Sequence, residues 1–210
     1  MNRTIPLFPL NLVIFPGSYY PLHIFEDRYK KMLKRCIDEH TGFGIVASIG
    51  GKNSRIGSYV IVSRIVKNYE SGESDIIVKA VNRFQIISTS VHASGYSVAE
   101  VEDYSDTDVE VDEELLEEIK NIFDDILDKI NFQLDDSFWD NFDRTEYKSF
   151  KIAEKSGLNL QQQQRLLTFQ DENKRLMFLI DHFKKLDKQI NKDSMFKTII
   201  MNDGYLNPKN

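Results

Sequence analysis

The stretch IPLFPLNLVIFPGSYYPLHIFEDRY, Ile5 to Tyr29, decides how the rest of the chain is read. Four of the chain's 5 prolines, Pro6, Pro9, Pro16 and Pro21, stand in it among Leu, Ile, Val, Phe and Tyr. Proline fixes φ near about −65°, lacks an N–H and pushes the residue before it toward extended backbone. The segment therefore reads as short strands broken at Pro9 and at Pro16-Gly17, and not as a helix. So apolar a spine has to be covered by whatever the chain builds around it.

The period changes directly after the spine. From Glu26 to His40 (EDRYKKMLKRCIDEH) the residues Tyr29, Met32, Leu33, Cys36 and Ile37 follow helical spacing, with Lys30, Lys31, Lys34 and Arg35 between them. Glu26 and Asp27 suit the positive end of the helix dipole, and Thr41-Gly42 reads as the stop. From Gly42 to Tyr104 the signals are those of strands: Phe43 to Ile49, Ser58 to Tyr69, Asp75 to Ala80, Arg83 to Thr89 and Gly95 to Tyr104. Glycine-containing turns separate them, and NYESGESD is the clearest hairpin. About six or seven short strands and one helix in roughly 105 residues fit a small closed or nearly closed barrel.

Beyond the acidic stretch SDTDVEV, residues 105–111, the helical period persists. Leu115, Leu116, Ile119, Ile122, Phe123, Ile126, Leu127 and Ile130 form a stripe on a helix capped by Asp112. Residues 131–141 read as a loop carrying Phe138 and the one tryptophan, Trp139; 142–155 read as a second helix. Asn159 caps a third, with Gln162 where a capping box wants it, and the four glutamines 161–164 read as a solvated face. Asp171 caps a last helix to about Ile190, with Leu176, Met177, Leu179, Ile180, Phe183 and Leu186 on its core face. The expectation is an α+β protein: a barrel domain over 1–104, an acidic linker over 105–111, a helical bundle over 112–190, and a tail over 191–210. In that tail the apolar run Met195 to Met201 is expected to dock on a neighbour.

Composition narrows the function classes. At 41% apolar and 29% charged residues the chain is an ordinary globular one. It has no apolar run near the roughly 18 residues a membrane span needs and no secretory leader pattern, so a cytoplasmic location is expected. A single cysteine, Cys36, excludes an internal disulfide and a multi-cysteine zinc site, and in a helical pattern it reads as a buried small hydrophobe. Residues 1–104 carry 12 Lys+Arg against 10 Asp+Glu, and 105–210 carry 15 against 23. Neither half supplies the dense basic field that phosphate contacts require, which argues against nucleic acid and anionic membranes.

Strong catalytic signatures are missing. Gly50-Gly51-Lys52-Asn53 has Val46 where a phosphate loop needs its first glycine and Asn53 where it needs a hydroxyl. No GxSxG, HExxH or GxGxxG occurs, and His23, His40, His92 and His182 fall in four separate elements without metal-ligand spacing. No catalytic residue, metal or cofactor is expected. Adjacent Tyr19 and Tyr20 must send their rings to opposite sides of an extended strand, so one is available to a partner. Phe138 and Trp139, in the expected loop, are the second candidate pair. Arg55, Arg64, Lys67, Lys79 and Arg83, on or beside the strands, keep an RNA-binding barrel as the alternative.

Several ordered strings resemble one family, the N-terminal substrate-binding domain of the Lon ATP-dependent proteases, which occurs inside the full-length enzymes and as stand-alone proteins. They are IPLFPLNLVIFPG from Ile5, PLHIFEDRY from Pro21, FGIVAS from Phe43, NRFQI from Asn82, YSVAEVEDY from Tyr96 and GLNLQQQQRLLTFQDENKRLMFLI from Gly157. The resemblance covers nearly all of residues 3–187 and implies a PUA-like β-barrel followed by a helical bundle. It departs at Ala80, where the family usually has glycine. It carries over no ATPase or Ser-Lys protease residue, because none of this sequence matches them. The expected function is a non-catalytic module that binds unfolded or exposed apolar polypeptide segments.

Overall fold

A computed structural model describes residues 2–107 and 110–190 of the 210-residue chain; the run Met195 to Met201 lies outside them. The chain is mixed α+β and divides into two compact units, the first ending at Ser105 and the second beginning at Asp106.

The first unit contains β1 (Arg3–Leu10), β2 (Tyr19–Ile24), α1 (Asp27–Asp38), β3 (Phe43–Ile49), β4 (Lys52–Asn53), β5 (Ile56–Asn68), β6 (Ser74–Val91) and β7 (Ser97–Asp103). Pairing runs from β1 through β7, β6 and β5 to β3, and a parallel β3–β1 pairing leads back to the start. The spine does not break at Pro9; β1 runs through it to Leu10. Arg3 to Leu7 pair with β7 and Leu7 to Leu10 with β3, so Pro6 and Pro9 each sit where β1 has a partner on one side only. There the missing N–H can face the unpaired side and costs no ladder bond.

The two strands expected over 75–89 are one continuous β6. A bulge lets the ladder continue: Tyr59 faces Asn82 and Val60 faces Ala80, so Val81 is an extra residue without a partner on β5. Ala80 keeps ordinary strand backbone, since only His40 and Asn131 among described non-glycine residues have positive φ. The helix stop also differs from expectation. His40, at φ 53°, takes the left-handed position, its N–H donating to Ile37 O and the Thr41 N–H to Cys36 O. These two bonds close the last turn that Thr41-Gly42 was expected to end.

Helix α1 buries Tyr29, Met32, Leu33 and Cys36 against Phe8, Ile14, Leu22 and Val78, with the Phe8 and Tyr29 ring centroids 4.2 Å apart. Each fully buried side chain of this size contributes about 1.5–3 kcal/mol. Phe84 fills the sheet interior so tightly that a Cβ on Gly44 would lie 2.6 Å from its ring, and one on Gly57 would lie 2.5 Å from Ile45 O.

The second unit is built from α2 (Glu113–Lys129), α3 (Asp136–Arg144), α4 (Lys148–Ala153), α5 (Leu160–Thr168) and α6 (Glu172–Ile190). The expected loop over 131–141 is largely helical, because the Asp135 side chain accepts the Phe138 N–H and starts α3 there. The single helix expected over 142–155 is two, interrupted at Thr145, whose backbone is extended. Asp112, Asn159 with Gln162, and Asp171 cap as their positions require. Gln163 is not solvated: it is buried and donates to Leu158 O at 3.0 Å. Met177, expected in the core, is 47% exposed. No described helix is long and apolar enough to cross a membrane.

One charged group organises this unit. Arg175 has 0% exposure, and its guanidinium donates to Ser149 Oγ (2.9 Å), Phe169 O (2.7 Å), Glu172 Oε2 (2.6 Å) and Asp106 Oδ1 (2.9 Å). The rings of Phe150 and Tyr147 lie 4.4 and 5.2 Å from its centre. Burial opposes the charge, but Asp106 and Glu172 outweigh it and hold the pKa above the ordinary arginine value.

Candidate functional site

Strand register places the sequence-predicted tyrosines. β2 pairs with β6 and β6 with β5, so three side-chain rows cross one outward face: Tyr19–Lys79–Ile61, Pro21–Ile77–Arg64 and His23–Asp75–Lys67. Residues directly opposite one another point to the same side. Tyr19 is 59% exposed and Ile61 41% exposed, and the Lys79 ammonium lies 5.5 Å from the Tyr19 ring centre. Tyr20 goes to the other side and packs on the core, where burial raises its phenol pKa. The alternation expected of adjacent tyrosines thus selects Tyr19 as the outward one.

The third row is held by hydrogen bonds. Asp75 Oδ1 lies 2.7 Å from His23 Nδ1, and Asp75 Oδ2 accepts the Tyr69 hydroxyl at 2.6 Å. Tyr69 and then His23 hold the Asp75 carboxyl below its ordinary pKa, while the same bond pushes the Tyr69 phenol up. His23 is therefore a partnered strand residue. Lys67 rests on the Tyr69 ring at 4.3 Å. Arg64 and Lys79 have no carboxylate partner among the described residues.

The second predicted pair is placed differently. Phe138, on α3, is 5% exposed and its ring is spent on the core of the second unit, so it offers no surface to a partner. Trp139 is half-buried; its ring meets Phe138, Phe142 and Phe123 edge-on at 5.2, 5.8 and 6.3 Å. Of the four candidates, Tyr19 is the one whose ring lies mostly in solvent.

The residues that sequence reasoning missed are the apolar neighbours of Tyr19, namely Pro21, Ile61 and Ile77; Arg64 and Lys79 are named there only as part of a basic patch suited to RNA. A signal existed in β2, where Tyr19, Pro21 and His23 alternate with Tyr20, Leu22 and Ile24. None existed for β5, because its bulges at Val62/Arg64 and Ile65/Lys67 shift the alternation twice.

Other chemistry is sparse. Among the described residues, no group of three or more His, Cys, Asp and Glu side chains is placed to hold a metal ion. Burial pushes the Cys36 thiol up to about 11, the opposite of an activated nucleophile. Arg35 donates to Glu39, at 2.8 Å, and to Tyr96 and His92, which stack at 4.5 Å; together they close the end of α1 against the His92 turn.

The fold has clear counterparts. The family model for the ATP-dependent protease La (LON) substrate-binding domain matches residues 4–185. A solved Lon N-terminal domain protein from Xanthomonas campestris is 25% identical with a TM-score of 0.67, over 85% of this chain and 98% of that one. The N-terminal domain of a Mycobacterium avium complex Lon protease shares the fold, at 17% identity and a TM-score of 0.64, over 87% and 98% of the two chains.

Proposed function

Because the chain belongs to the Lon substrate-binding domain family, we propose that it binds unfolded or exposed apolar polypeptide segments and performs no chemistry on them. The observation that carries the reading is the extent of the family match, residues 4–185, which takes in both compact units. The exposed ring of Tyr19 beside Ile61 supplies apolar surface of the kind such binding needs. Trp139, half-buried, is the second contact we assign. We read the first unit, whose strand pairing returns on itself, as the PUA-like barrel over 1–104. The helices over 112–190 form the bundle in this reading, and 105–111 the linker.

Polypeptide is favoured over RNA because residues 1–104 carry 12 Lys+Arg against 10 Asp+Glu, short of the dense basic field that phosphate contacts require. A cytoplasmic setting suits a chain with one buried, unpaired thiol. Fluorescein-labelled unfolded casein tests the proposal. Its anisotropy should rise saturably with the purified chain, and the casein should stay intact on a gel with or without ATP. Casein fragments, or no anisotropy change, would refute the reading. Salt-dependent binding of an RNA oligonucleotide in place of casein would establish the alternative instead.

A further inference from the structure

The outward face of β2, β6 and β5 is bordered by two strand edges open to extension by a bound chain, and both are blunted. β2 pairs only with β6 among the described residues, and Pro21 at its middle has no N–H to give. On the other side, β5 beyond Val60 pairs only with β6 among the described residues and is interrupted by the bulges that leave Ser63 and Val66 as extra residues. Proline and bulges are the devices that stop a strand edge from templating another strand. Recognition here has to run through side chains.

Those side chains define a ligand. Tyr19, Pro21, Ile61 and Ile77 form an apolar centre, in which Tyr19, Pro21 and Ile61 are exposed. Arg64 and Lys79 stand within it without carboxylate partners among the described residues, while Asp75 has both oxygens engaged by His23 and Tyr69. The residual charge of the face is positive. Three rows two residues apart span about 13 Å, the length of about four extended residues.

Resting on the polypeptide-binding reading and deepening it, we propose that this face docks a short extended peptide whose apolar centre is flanked by Asp or Glu, read by side chains and not by strand addition. Tyr19 and Ile61 take the apolar side chains. Arg64 and Lys79 take the flanking carboxylates, and their charge disfavours segments flanked by Lys or Arg.

The test uses the full chain and fluorescein-labelled peptides of about ten residues with a Phe-Leu centre, flanked in one by Asp and in the other by Lys. The Asp-flanked peptide should bind the tighter, and R64E/K79E should weaken it by about tenfold while leaving the Lys-flanked one unweakened. K52E, an exposed reversal on β4, should change neither, and far-UV circular dichroism should show both variants folded. Alternate N-methylation of the peptide backbone should leave its affinity within about threefold. If both peptides bind and R64E/K79E changes neither, the face is wrong while polypeptide binding stands. If N-methylation abolishes binding, strand addition is the mode and the inference fails. If neither peptide nor unfolded casein binds, the underlying function fails as well. Displacement of the peptide by single-stranded RNA, lost in R64E/K79E, would make this a nucleic-acid face and overturn the inference.

Discussion

Replacing Arg175 by alanine should cost the second unit about 3–5 kcal/mol, the range for removing one partner of a buried ion pair. The guanidinium is fully enclosed, and the Glu172 and Asp106 side chains that face it are only 6% and 11% exposed, so the substitution strands two carboxylates. It also removes the donors to Phe169 O and Ser149 Oγ. Against a typical domain stability of about 5–15 kcal/mol this is from about a fifth to all of the total. Urea unfolding followed by the fluorescence of Trp139 reads the second unit alone, because it is the chain's one tryptophan. With m near 1–3 kcal/mol/M, the midpoint should fall by about 2 M. The triple variant R175M/E172Q/D106N, which removes all three charges together, should recover most of the loss. A decrease below about 1 kcal/mol in R175A at unchanged m would refute the argument that Arg175 holds these helices together.

Three further outcomes follow from local structure. Burial, with Lys185 nearby, holds His182 below its ordinary pKa, and Nε2–H donates to Ser156 O at 2.8 Å. The unfolded chain therefore takes up the proton first. Stability should fall as pH drops below about 6.5, by at most about 1.4 kcal/mol per unit, and H182Q should flatten that slope in urea titrations at pH 5 to 7.5. His40 bears a side chain at φ 53°, so H40G should raise stability by roughly 0.5–1 kcal/mol in thermal unfolding. Cys36, with its thiol raised to about 11, should react with Ellman's reagent at pH 8 only after urea unfolds the chain; prompt reaction in the folded state would contradict its burial.

How far the sequence could be read depended on the range of the interactions involved. Helix α1 was legible because five residues at helical spacing carry it, and the caps at Asp112, Asn159 and Asp171 were legible because capping is local. α3 was not, because DSFWDNFDR packs Phe138 and Phe142 inward without a longer apolar stripe to announce it. β6 looked like two strands because Val81-Asn82 breaks the alternation; only the pairing with β5 shows that Val81 is a bulge. The same limit applies to the candidate site. Adjacent Tyr19 and Tyr20 announced one outward ring, but which ring, and that Lys79, Ile61 and Arg64 lie beside it, depends on register across three strands separated by tens of residues. The Arg175 node was beyond reach for the same reason, since Asp106, Ser149 and Glu172 meet it only in the folded unit.

The central claim is that this chain holds non-native polypeptide and leaves it intact. It is tested most directly by comparing one labelled protein in two states, native α-lactalbumin and its reduced, carboxymethylated form, by anisotropy against the full chain with mass spectrometry of the mixture. Saturable binding of the unfolded form alone, with its mass unchanged after prolonged incubation with ATP, is the predicted result. Equal binding of both forms, binding of neither, or the appearance of fragments would contradict it.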